Sequence, residues 1–230
     1  MINIYNIKII FILFIFYSMI GWIIEVLDQF YRKKRFINRG FLIGPYCPVH
    51  GIGALLMVLL LSGITDSYII LFFSASLICT ILEYITSFLL EKIFKARWWD
   101  YSCYKFNLNG RVCLQNSIFF GIAGVFIVKI ANPFVVKFII QNVPDLNVIC
   151  LVLGIIFTLD LFISFNVIVK FKNITNILTK DSTEEISNRV KKTLAKKSIL
   201  FKRLINAFPN LKNGAKKIKD NIISIFNVIK

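Results

Sequence analysis

The chain is 230 residues long and 57% hydrophobic, with 23 phenylalanines and a mean hydropathy of +0.72, far too apolar for a soluble domain of that size. Its formal net charge of +16 would suit nucleic acid if it lay on one face of a soluble fold, but the basic residues fall between apolar runs and in the tail. Membrane topology accounts for them, so no nucleic-acid partner is expected.

The five cysteines include no CxxC pair and His50 is the one histidine, which argues against a zinc or iron–sulfur site. No metal and no other cofactor is expected, and without a GxxxxGK[ST] loop the chain is not itself an ATPase. Crossing a bilayer core of about 30 Å takes about 20 helical residues. Five apolar runs meet or approach that length, near 7–27, 49–65, 68–92, 112–136 and 147–169. The chain is thus expected to be all-α, a polytopic integral membrane bundle of about five transmembrane helices in the cell membrane.

The first run has no basic segment ahead of it and no A-x-A-like site after it, so it reads as a retained span and not as a cleaved signal. Ser18, Gly21, Trp22 and Glu25 recur along it three or four residues apart. The second run is the shortest, and its start is broken by Gly44, Pro45, Pro48 and Gly51. It is either a full helix with a bent start or a partly re-entrant one. GPYCPVHG is then a rigid turn with Pro48 at the first helical position, or an unwound segment whose backbone binds a ligand.

In the third run Ser76, Thr80, Glu83, Ser87 and Glu91 lie along one side, which must face protein or water because a carboxylate in lipid is costly. The stretch FKARWWDYSCYKFNLNGRVCLQNS, 94–117, follows; Trp98, Trp99 and Tyr101 are expected as interfacial anchors at the headgroup level. In the fourth run Ser117, Gly121 and Gly124 allow close helix contact. Asp160 and Ser164 sit one turn apart in the fifth, where Asp160 has no basic partner within the span and is a candidate for lining a polar cavity. The tail, 170–230, reads as a separate basic region. Ser182 and Glu185 form a capping box, Ile186, Val190 and Leu194 continue it, and Ile218, Ile222, Phe226 and Ile229 mark a second amphipathic helix. Such helices suit the anionic lipid headgroups of the cytoplasmic leaflet.

Lys and Arg alternate between the connections: five in the first, five in the third and fifteen of the 28 from Lys170 onward, against few elsewhere. This predicts an N-terminus outside and a C-terminus in the cytoplasm. Glu25, Glu83 and Glu91 then converge on the two basic connections. The expected polar cluster at the cytoplasmic mouth comprises Glu25, Asn38, Arg39, Glu83, Glu91, Arg97, Asp100, Asn109 and Arg111, with acidic helix residues paired to loop arginines.

The blocks GWIIEV at 21–26, NRGFLIGPYCPVHGIGAL at 38–55, LEYITSFLLEKIFKARWWDYS at 82–102 and FNLNGRVCLQNS at 106–117 closely resemble the bacterial CmpB-like family of type IV ABC-transporter permeases. The resemblance runs in order over about residues 10–168. It implies a multi-span inner-membrane permease component, working as a homodimer or with an ATPase subunit encoded elsewhere. This chain departs from the family where PVHG replaces the commoner PIYG, which makes His50 a weak candidate for essential chemistry. No EAA-type coupling loop is recognisable in either basic connection.

Three functions fit these residues. The first is a permease component of a transport system. The second is a membrane scaffold or regulator whose basic tail binds anionic lipid or a partner. The third is a membrane-embedded enzyme acting on a lipid-linked substrate, for which no nucleophile–base pair stands out and no catalytic residue is assigned.

Overall fold

The computed structural model describes residues 6–180, apart from 35, 37, 39–41, 64–65 and 95–96. Six α-helices and one two-stranded hairpin make up the described chain: α1 (Ile7–Lys33), α2 (Pro48–Leu61), α3 (Tyr68–Phe94), β1 (Asn107–Leu108), β2 (Val112–Cys113), α4 (Leu114–Phe126), α5 (Asn132–Asn142) and α6 (Leu146–Lys180). A π-helical stretch, Ile127–Ala131, joins α4 to α5 without a break. Its cause is readable: Pro133 inside the helix has no N–H to donate, and a wider turn just before it absorbs the mismatch.

Four helical stretches are long and apolar enough to cross a membrane: Ile7–Arg32, Tyr68–Ile93, Leu114–Asn142 and Leu146–Val167. The large apolar side chains on their outer faces are exposed, among them Ile69, Phe73, Leu77, Leu151 and Phe162. That inversion of the soluble pattern belongs to a membrane protein. The second apolar run is shorter than its sequence span of 49–65. At 14 residues α2 reaches about 21 Å, less than a bilayer core. Pro48 occupies its first turn, where a missing N–H is harmless, and the helix begins there.

α1 packs on α2, α2 on α3, and α3 closely on α4. The α3–α4 approach depends on small residues: the Phe72 ring lies where a side chain at Gly121 would go, and Ala75 and Met57 lie against Gly124. Around this seam a core forms from Leu13, Tyr17, Met57, Leu71, Val136 and Ile139. A second cluster, Ile15, Leu42 and Tyr46, joins α1 to α6 through Phe157, whose ring meets those of Phe14 and Tyr46 edge-on. Helix α6 runs unbroken past residue 169 to Lys180. The tail features from Ser182 onward, and Arg39, lie outside the described residues.

Candidate functional site

Both connections that carry the sequence blocks fold back along the helices they leave. In the first, Trp22 Nε1 donates to Asn38 Oδ1 at 2.9 Å and Asn38 Nδ2 donates to the Ile43 carbonyl at 3.0 Å. The chain then meets α6. Asp160 Oδ1 accepts from the Ile43 amide at 3.1 Å, Asp160 Oδ2 from the Gly44 amide at 2.8 Å, and Ser164 Oγ also accepts from Ile43 at 3.0 Å. The Ser164 hydroxyl in turn donates to Asp160 Oδ1 at 3.0 Å. Two backbone amides thus take the place of the missing basic partner, a strong arrangement for a carboxylate away from water. Gly44 is required there, because a Cβ would sit 2.5 Å from the Tyr46 ring and 2.8 Å from Asp160 Oδ2.

The second connection turns at Asn109–Gly110, with φ of 55° and 67°, and the Arg111 amide donates to the Leu108 carbonyl at 3.0 Å. Both central residues are left-handed, the hairpin turn for which Asn-Gly is the commonest sequence. Gly110 also lies so close to the RWWDYS block that a Cβ would be 2.5 Å from Ser102 Oγ and 2.7 Å from Asp100 Oδ1. The Tyr101 amide donates to the Gly110 carbonyl at 2.8 Å, and Trp99 Nε1 donates to the Arg111 carbonyl at 2.9 Å. These contacts make 97–113 one folded unit.

That unit covers the polar side of α3. Arg97 Nε donates to Glu91 Oε1 at 3.1 Å and Arg111 Nη2 to Glu91 Oε2 at 2.7 Å, so one carboxylate is held by two guanidinium groups. Arg111 lies over the rings of Tyr84 and Phe88, with 14% of its side chain exposed. Asn109 Nδ2 reaches Tyr84 Oη at 2.9 Å. Asp100 is mainly a partner of Ser102: the Ser102 hydroxyl, then its amide, and more weakly Arg97 at 3.9 Å, hold its carboxyl below the usual value.

Deeper in the bundle the Tyr101 hydroxyl donates to Glu83 Oε1 at 3.0 Å, and Asn116 Nδ2 meets Tyr101 Oη at 2.7 Å and Glu83 Oε1 at 3.4 Å. Burial first, and then the Glu83 charge, push the Tyr101 phenol above its ordinary value, so it stays a donor. Glu83 Oε2 is buried and has no hydrogen-bond partner among the described residues. Glu25 is close enough to act electrostatically on Glu83, Tyr101, Cys47 and His50. His50 Nδ1 lies 3.0 Å from Cys47 Sγ. No group of three or more metal-ligating side chains occurs among the described residues.

The expected cluster is therefore two clusters about 12 Å apart along α3, eight residues at 1.5 Å each. Glu91, Arg97, Arg111 and, through Arg97, Asp100 form the outer one; Glu83, Tyr101 and Asn116, with Glu25 nearby, form the inner. Asn38 belongs to the first connection instead. The expected anchors also divide: Tyr101 turns inward to Glu83, and Trp99 bonds to the connection's own backbone. A buried carboxylate with donors at hand outweighs the pull of the headgroup region. Sequence reasoning missed Asn116 and Tyr84, whose cue was their position beside Ser117 and Glu83 on facing helices.

The family model described as "Putative ABC-transporter type IV" matches residues 12–165, about two thirds of the chain, and the protein belongs to that family. No curated protein and no solved structure matches the chain.

Proposed function

We propose that this protein is the permease-like membrane component of an ABC-type transport system, a multi-pass protein of the bacterial inner membrane with its N-terminus outside, its C-terminus and basic tail in the cytoplasm, and a path that passes Glu83. One observation carries the reading. A carboxylate about 15 Å inside the end of its span, ten residues at 1.5 Å each, keeps one buried oxygen without a partner among the described residues, while Tyr101 of the folded connection and Asn116 of α4 pack against its other oxygen. An unspent acceptor at that depth is costly unless something uses it. The short α2 and the inward fold of both connections supply the non-helical backbone that transport sites commonly draw on.

With few spanning helices per chain, a complete path requires a homodimer or a partner, plus a separate ATPase subunit. Purification in mild detergent should recover a nucleotide-binding subunit, and deleting the gene should change uptake or efflux. Recovery of no ATPase together with unchanged transport would overturn the reading.

The outer cluster favours a scaffold as the second reading, because both Glu91 oxygens are satisfied by arginines of the folded connection. In that case Arg111→Ala and Glu91→Ala should each lower the protein level, with the double variant no worse than either. A functional defect at full protein level would contradict it.

A further inference from the structure

Leu77, Ile81, Ile85, Phe88 and Lys92 recur at spacings of four, four, three and four, which aligns them on one face of α3. The four apolar members are exposed, from 45% at Phe88 to 63% at Leu77. This apolar ridge, about 16 Å from Leu77 to Phe88 at 1.5 Å per residue, ends at a cation. Lys92 Nζ lies 6.0 Å from the centre of the Phe88 ring and makes no ion pair among the described residues.

Beside it opens a recess of about 320 Å³ lined by Phe88, Glu91, Lys92 and Arg111. Arg111 is fixed at its wall by Glu91 and by the Tyr84 and Phe88 rings. Three cations, Lys92, Arg97 and Arg111, meet two carboxylates, Glu91 and Asp100, so the rim carries an excess positive charge at the end of a lipid-facing ridge.

We propose that this recess binds the headgroup of an anionic phospholipid. The lipid phosphate lies between Lys92 and Arg111, and one acyl chain follows Phe88, Ile85, Ile81 and Leu77. A phosphate suits the site because Arg111 is already oriented and Lys92 adds a flexible second donor. An acyl chain suits it because the ridge is apolar over most of a leaflet's depth.

The test is native mass spectrometry of the full chain in detergent loaded with phosphatidylglycerol, with phosphatidylcholine, or with glycerol phosphate alone, each after a 0.5 M salt wash. The wash removes lipid held loosely at the surface, including by the basic tail, since exposed charges are screened over about 4 Å or less at that strength. The expected result is retention of phosphatidylglycerol over the other two. Measured at low salt before the wash, where Lys92 is not screened, Lys92→Ala should lower retention about fivefold, the equivalent of about 1 kcal/mol for one surface cation. Lys105→Ala, whose cation lies over the Phe106 ring and does not line the recess, should leave it unchanged. Equal retention of the zwitterionic lipid, glycerol phosphate retained as well as the lipid, loss of all lipid in the wash, or full retention by Lys92→Ala would each overturn the proposal.

Discussion

The two inward-folding connections solve one problem by opposite means. Each brings the chain back from the end of a 27-residue helix to begin the next helix part-way down the bundle. The first is tied by its own backbone amides to a single carboxylate more than 110 residues away, Asp160 on α6. The second is tied by side chains to the helix it has just left, through Glu91, Tyr84 and Glu83, and is stiffened by its own hairpin. The first connection adds to lesser ties with α1, through Trp22–Asn38 and the Cys47 amide, one concentrated long-range attachment; the second is held locally and by many contacts. Damage should therefore scale differently in the two.

Asp160→Ala should have the largest effect. It strips the acceptor from the Gly44 amide and half of that from Ile43, for a loss on the order of 3 kcal/mol. The check is the midpoint of unfolding in detergent, and Asp160→Asn, which keeps one acceptor oxygen, should lose about half as much. If Asp160→Ala unfolds at the wild-type midpoint, the first connection is not held as described. Gly110→Ala comes next at about 2 kcal/mol, since alanine at φ 67° is strained and its Cβ would press on Ser102 and Asp100. Hydrogen exchange should then rise over 97–113 and stay unchanged over 42–47.

Within the second connection the arginines should separate. Arg111→Ala removes a short ion pair and two ring contacts and should cost about 1.5 kcal/mol. Arg97→Ala removes a pair about one-third exposed and should cost about 0.5 kcal/mol. Equal losses would show that the rings over Arg111 contribute little. The smallest effect is on pH dependence. Because Ser102 and Arg97 hold the Asp100 carboxyl low, its contribution is present above the ordinary aspartate value and fades as the pH falls through the lowered one. Asp100→Asn should remove that acid-side dependence and lower neutral-pH stability slightly, by the same amount the wild type loses in acid.

The long helices were legible because twenty apolar residues in a row have few other uses, and the α3 stripe because its polar residues repeat at three and four. The shortness of α2 was foreshadowed by Gly44, Pro45, Pro48 and Gly51. Asp160 was not legible in the same way. Its partners are main-chain amides, which every residue carries, so no side-chain pattern announces them. Tyr101 beside two tryptophans reads as a headgroup anchor until Glu83 is seen to need a donor. The Asn109–Gly110 dipeptide is itself a hairpin-turn cue, yet Asn109 was expected in the polar cluster and not at a turn.

The contrast between the inner and outer carboxylates on α3 carries the functional argument, and one paired measurement addresses it. Glu83→Gln and Glu91→Gln would each be returned to a strain lacking the gene, with protein level and restored transport measured together. The proposal predicts that Glu83→Gln accumulates to the wild-type level and fails to transport, while Glu91→Gln loses transport only in proportion to lost protein. Normal transport by Glu83→Gln at the wild-type level would contradict it.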